Sequence, residues 1–112
     1  MAQTCNIGRL ACRHLLRPVG LLLLLVSPAM GVLLDDFLMA ADNGQCIESV
    51  TFRTIRDRGP ADAAEVVKAA LEAYGQREHQ QRSLGCAGDI AAQAIAAGAD
   101  PEQVLEATAA GL

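Results

Sequence analysis

The sequence predicts an all-α fold, a small bundle of four to five short helices (two helical hairpins) that follows an N-terminal signal peptide. Three observations predict it. Apolar residues recur every three to four positions along residues 63–74, capping residues precede several segments, and the one strand-like segment has no second strand to pair with. The expected organisation is a signal peptide at 1–31, a leader segment with a short helix at 32–45, and a disulfide-clamped helical domain at 46–112.

The first 31 residues have the order of a secretory signal peptide. An apolar block at 19–26 follows three arginines, and small residues come next. Small side chains at the first and third positions before a cut allow cleavage after Ala29 or after Gly31. The alternative is an uncleaved membrane anchor, but the 16 uncharged residues from 19 to 34 contain Pro28. A bilayer span needs about 17–25 residues.

The chain that remains after cleavage would be small and acidic. A cut after Gly31 leaves 81 residues and removes three of the nine basic side chains but no acidic one, so the formal charge falls from −4 to −7. Such a surface repels nucleic acid and anionic membranes. We expect no nucleic-acid partner, and a membrane contact only if the signal is retained. The composition, rich in alanine with arginine far above lysine, is typical of a GC-rich bacterial genome and favours a periplasmic or secreted location.

Cys46 and Cys86 are the cysteines that remain after such a cleavage. An even pair in an oxidising compartment predicts a disulfide between them. Closing a loop of 41 residues would stabilise the fold by about 4 kcal/mol in the chain-entropy description. Intermolecular disulfides and a redox-active thiol are the alternatives, and neither has a supporting motif such as C-x-x-C.

The two cysteines also begin similar stretches of sequence. Residues 46–55 align with 86–95, and residues 61–69 align with 99–107 after a two-residue shift. The matched positions include a cysteine, a serine or aspartate, and a valine or isoleucine. Both a duplicated two-helix unit and chance similarity between alanine-rich helices account for the match.

The first two predicted elements lie at 33–41 and 46–58. The first is a short leading helix. In the second, β-branched and aromatic residues favour a strand by propensity, whereas the apparent duplication favours a helix. Because a solitary strand is not viable, we expect a helix capped by Ser49 and ended by Gly59 and Pro60.

Three further helices have clearer boundaries. Residues 63–74 carry an apolar stripe, with Asp62 and Glu65 placed for a capping box and Gly75 as a stop. The polar residues 76–83 are a linker or a frayed extension. Two more helices are expected at 90–97 and 101–110, and their boundary residues are Asp89, Gly98, Asp100, Pro101, Gln103 and Gly111.

Two groups of residues are candidates for contact with a partner. The helix at 90–97 is apolar nearly all round, so it is either the centre of the core or a contact with another chain. Its candidate contact residues are Ile90, Ala94 and Ile95. Three arginines near the end of the 46–58 helix either pair with Asp57 or Glu48 or dock an acidic partner. They are Arg53, Arg56 and Arg58.

The sequence offers no catalytic set. His79 lies in a polar connector without a motif that would place a nucleophile beside it, and Asp35 and Asp36 read as solvated acids. One histidine and two distant cysteines do not provide the usual zinc ligands, so neither metal nor cofactor is expected. We predict a small exported non-enzymatic interaction or assembly protein of the bacterial envelope, with an unknown protein partner or self-association. The alternative is a membrane-anchored envelope component that keeps its N-terminal helix.

Overall fold

The computed structural model describes residues 29–111, and every regular element in this range is helical. A 3₁₀ turn at Pro60–Asp62 separates the second and third α-helices. The five α-helices are α1 (Ala29–Asp42), α2 (Ile47–Arg58), α3 (Ala63–Ser83), α4 (Ile90–Ala96) and α5 (Pro101–Gly111). The predicted all-α bundle is therefore confirmed, and the ambiguous segment 46–58 is a helix.

Most of the predicted signal peptide lies outside the described residues, as do Cys5 and Cys12. Both candidate cleavage positions, Ala29 and Gly31, fall in the first turn of α1. Leu33, the first residue of the core, follows at once and is only 2% exposed. Within residues 29–111, no helix is long and apolar enough to cross a membrane.

The core is built around α3, which contacts all four other helices. Its buried face is made of small side chains, which let neighbouring backbones approach closely. These residues are Ala63, Val66, Val67, Ala69, Ala70 and Ala73. The large buried side chains come from the helices around it, with Phe37 from α1 and Ile55 from α2. Bulky residues from the neighbouring helices therefore pack against the alanine-rich face of α3.

Two helix pairs with short connections make up most of the domain. The first pair is α2 and α3, and the second is α4 and α5. In the packed structure α2 contacts α4, while α3 contacts α5 and also α1. The two similar stretches do not begin in the same way, because α2 starts one residue after Cys46 and α4 starts four residues after Cys86.

Two of the predicted helix caps are confirmed. The Asp89 carboxylate accepts a hydrogen bond from the backbone N–H of Ala92 at 3.3 Å, at the start of α4. The Asp100 carboxylate accepts one from the N–H of Gln103 at 3.1 Å, at the start of α5. Short polar side chains therefore mark both helix starts in the sequence, as their capping chemistry requires.

Two other predicted helix boundaries and one predicted capping bond are wrong. Ser49 lies inside α2, whose N-cap is Cys46. Asp62 is the N-cap of α3, as predicted, but its side chain makes no capping bond and instead pairs with Arg58 at 3.2 Å. Gly75 does not end α3, which continues to Ser83 with one non-helical residue, Arg77. The residues expected to form a linker or frayed extension are thus the second part of a long helix.

Candidate functional site

The predicted Cys46–Cys86 disulfide is present. The two sulfur atoms are 2.07 Å apart and the two Cα atoms 5.4 Å apart. Cys46 stands at the N-cap of α2, and Cys86 lies in the connection between α3 and α4. The bond therefore joins the start of α2 to the connection through which the chain enters α4.

Gln81 of α3 is fully buried beside the disulfide. Its side-chain carbonyl accepts a hydrogen bond from the N–H of Ile47 at 2.8 Å, and its amide donates to the carbonyl of Gln45 at 3.0 Å. Its backbone carbonyl accepts from the N–H of Cys86 at 3.1 Å. Because Cys46 makes no side-chain capping bond, Gln81 supplies from another helix the acceptor that α2 lacks at its start.

Glu48, in the first turn of α2, is only 6% exposed. Its Oε2 atom accepts hydrogen bonds from the N–H groups of Ala87 and Gly88, at 2.5 and 2.9 Å. Its Oε1 atom is buried and has no hydrogen-bond partner among the described residues. The carboxylate thus fixes the loop after Cys86 and keeps one oxygen free.

Cys46, Glu48, Gln81 and Cys86 together form what we call the cysteine clamp. The two sulfur atoms and a carboxylate oxygen of Glu48 all lie within 4.8 Å of one another. Thiolate and carboxylate are donor types that bind zinc. As a disulfide the clamp is a structural link, whereas its thiol form would present three donor atoms at one place.

The loop of the clamp also packs against α3. Gly88 has a positive φ of 73°, and an added Cβ there would lie 2.9 Å from the hydroxyl oxygen of Tyr74. Gly85, at the end of α3, has a similar φ of 81° but open space around it. The ring of Tyr74 therefore requires glycine at position 88 for steric reasons in addition to backbone conformation.

A second set of polar contacts ties α3 to the end of α1. The Arg77 guanidinium donates to the Asp42 carboxylate at 2.9 Å, and the Gln80 amide donates to the carbonyl of Ala41 at 2.6 Å. The hydrogen bond from Arg77, with its charge, lowers the pKa of Asp42, and the same contact raises the pKa of Arg77. Both shifts favour the charged pair, so the polar half of α3 is fixed to α1.

The structure divides the candidate contact residues of α4. Ile90 and Ala94 lie in the core with exposures of 2% and 0%, whereas Ile95 is 38% exposed. Burial by the chain's own helices removes Ile90 and Ala94 from any surface that a partner could reach. Of the two alternatives for this helix, core packing therefore accounts for its apolar character, and Ile95 is the candidate that stays at the surface.

The three candidate arginines are all exposed on α2. Arg53 donates to the side chain of Gln45 at 2.7 Å, and Arg58 pairs with Asp62. Arg56 lies over the ring of Phe52 at 5.8 Å. Within residues 29–111, they pair with neither Asp57 nor Glu48, the partners expected from the sequence. Docking of an acidic partner on these residues stays a prediction.

His79 is exposed on α3, and Asp35 and Asp36 are exposed on α1. None of the three belongs to the cysteine clamp.

Over residues 29–111, the fold and the clamp define a small all-helical domain closed by the Cys46–Cys86 disulfide. Comparison of the chain with known protein families, with curated proteins and with solved structures found no match in any of the three.

Proposed function

We propose that the protein is a small exported, non-enzymatic interaction or assembly protein of the bacterial envelope. The observation that carries this proposal is the Cys46–Cys86 disulfide and the way Gln81 and Glu48 are bonded around it. Disulfides persist in oxidising compartments, which fits the signal-like start of the sequence. The polar side chains of the clamp hold helix ends together, which suits a domain that presents a fixed surface to another molecule.

The outer face of α1 is the surface that we propose for this contact. Val32 and Met39 are each 61% exposed and stand seven residues apart, two turns along the same side of the helix. Asp35 and Asp36 are exposed between them. Large exposed apolar side chains next to charged ones are found on protein-contact surfaces.

Site-specific photo-crosslinking in the host tests this contact. A photoreactive residue at Met39 should give a discrete adduct with one envelope protein or with a second copy of the chain. The same residue at Glu72, exposed on α3, is the matched control and should give none. Equal labelling at the two positions, together with a strict monomer at tens of micromolar by light scattering, would contradict the proposal.

The alternative is a membrane-anchored envelope component. It is supported by the position of α1, whose described residues start at Ala29, three residues after the end of the apolar block at 19–26, and which enters the core at Leu33. A retained N-terminal segment would thus lie close in sequence to the core of the domain. Intact-mass measurement of the native protein separates the two, because cleavage leaves Met30 or Val32 as the first residue and anchoring leaves Met1 or Ala2.

A further inference from the structure

We propose that the cysteine clamp is also a metal site. After reduction of the disulfide, Cys46, Cys86 and Glu48 would bind one Zn²⁺ ion, so that the same residues hold the fold either by a covalent bond or by a metal. The sequence predicted no zinc site because the two cysteines are far apart in the chain and histidines are few. The fold adds Glu48, whose carboxylate it brings to both sulfur atoms.

The distances suit a single ion. Zinc binds thiolate sulfur at about 2.3 Å and carboxylate oxygen at about 2.0–2.2 Å, so two thiolates on one tetrahedral ion lie about 3.8 Å apart. The sulfur atoms are 2.07 Å apart as a disulfide, and their Cα atoms are 5.4 Å apart. With the Cα atoms at this separation, rotation of the two side chains after reduction lets both sulfur atoms reach one ion without moving the backbone.

Glu48 has a carboxylate oxygen that forms no hydrogen bond with the described residues and could serve as a ligand. Two backbone N–H groups hold its Oε2 atom, while its Oε1 atom is buried without a partner. A buried acceptor with no hydrogen bond is unfavourable, and a bound cation would satisfy it. Backbone hydrogen bonds that fix one oxygen of a carboxylate are the kind of outer contact that orients metal ligands.

The charges favour a divalent ion with affinity for sulfur. Two thiolates and one carboxylate would place three negative charges in a largely buried position, which is costly without a counter-charge. A divalent cation offsets two of them. Thiolate ligands select zinc over magnesium or calcium, which prefer sites made of oxygen alone. Because both cysteines are half-buried, water can reach the ion as a fourth ligand.

The chemistry balances with a dithiol as the reductant. The dithiol transfers two electrons and two protons to the Cys46–Cys86 bond, which breaks to give two thiols, and the dithiol becomes a cyclic disulfide. Zn²⁺ then displaces both thiol protons to solvent as two Zn–S bonds form. The metal undergoes no redox change, so the disulfide and the zinc-bound form exclude each other.

Metal titration of the full chain, with Cys5→Ser and Cys12→Ser, tests the proposal. The protein, in non-ionic detergent, is reduced with dithiothreitol, desalted without oxygen and titrated with Co²⁺. We expect one equivalent of Co²⁺ to give thiolate charge-transfer absorption and the visible bands of a tetrahedral site, which one equivalent of Zn²⁺ abolishes. The oxidised protein keeps both histidines and should show neither, so it controls for binding by His14 and His79.

Substitution of the carboxylate gives the sharper test. Glu48→Gln should weaken Zn²⁺ binding by at least about tenfold, whereas Glu72→Gln, at an exposed carboxylate on α3, should leave it unchanged. If the reduced chain loses its helical circular dichroism, Zn²⁺ should restore it in the protein with intact clamp residues. The proposal is overturned if reduced protein, folded or not, binds Zn²⁺ no better than Cys46→Ser/Cys86→Ser. Equal affinities of Glu48→Gln and Glu72→Gln would remove Glu48 from the site.

Discussion

At the scale of single residues, Gln81 and Glu48 carry out complementary tasks across the clamp. Gln81 comes from α3 and bonds to both sides of Cys46, while Glu48 comes from α2 and bonds to the two residues after Cys86. Each side chain thus holds the backbone next to the opposite cysteine. The hydrogen bonds of Gln81 and Glu48 surround the disulfide. They position the backbone beside each cysteine without any contribution from the S–S bond.

Gln81→Ala should lower the free energy of unfolding by about 2–4 kcal/mol, because it leaves the buried N–H of Ile47 and the partly buried carbonyl of Gln45 without partners. Urea unfolding followed by circular dichroism measures this. Gln76→Ala, at an exposed position of the same helix, is the matched control and should change stability by less than about 0.5 kcal/mol. Similar losses in the two variants would show that the buried amide has no special role.

Gly88→Ala should be more destabilising than Gly85→Ala. Both glycines have positive φ, so each substitution should cost about 1 kcal/mol for backbone conformation. At position 88 the new methyl group also meets Tyr74, and overpacking adds about 1–3 kcal/mol. The comparison uses thermal and urea unfolding of the oxidised proteins. Equal effects at the two positions would mean that Tyr74 moves aside freely.

At the scale of elements, the second half of α3 binds the end of α1 and the turn that follows it. Arg77 and Gln80 reach the end of α1, and Gln81 reaches the turn that follows it. Arg77 departs from helical geometry, with φ −121° and ψ 21°. The long helix therefore holds α1 through its apolar first half and fixes the connection from α1 to α2 through its polar second half.

The pair between Asp42 and Arg77 should make stability depend on pH in acid. Because the pKa of Asp42 is lowered in the folded protein, the stabilisation is fully present above the ordinary carboxyl pKa of about 3.9. It disappears as the pH falls through that value and then through the lowered folded value. The urea midpoint of Asp42→Asn should be lower than that of the unmodified protein near neutral pH.

That difference should shrink toward zero as the pH falls below about 4. Arg77→Gln removes the same pair and should give the same pH profile. A difference that stays constant down to pH 3 in both variants would contradict an ionic origin.

The sequence predicted most of the helices and the disulfide of the clamp, but not the hydrogen bonds of Gln81 and Glu48 around it. Asp89 and Asp100 mark helix starts through hydrogen bonds that span three residues, so their signal is local. Gln81 and Glu48 bond to groups 34 to 40 positions away, and such partners leave no periodic trace.

Gly75 was wrongly predicted to end α3, because long-range contacts are not visible in the local sequence. It lies in α3 with open space around it. The helix continues past it through a kink at Arg77, and the side chains of Arg77 and Gln80 beyond Gly75 bond to distant residues of α1. Propensity identifies a plausible end of a helix, whereas tertiary contacts decide whether the helix stops there.

At the scale of the whole molecule, a core rich in alanine depends on its covalent link. A domain of this size is expected to have a stability of about 4–12 kcal/mol. The disulfide, which closes a loop with a sequence separation of 40, accounts for about 4 kcal/mol in the chain-entropy description. The contribution of the disulfide is therefore comparable with the total stability of the domain. The bond joins α2 to the connection between α3 and α4.

Non-reducing peptide mapping of protein isolated natively from its host tests this link most directly. Trypsin cleaves after Arg53 and Arg82, which places Cys46 and Cys86 on separate peptides. The structure predicts a single linked species that joins the peptide ending at Arg53 to residues 83–112, from a chain that runs as a monomer on a non-reducing gel. Two separate peptides, each carrying a thiol label applied to the folded protein before digestion, would contradict the account.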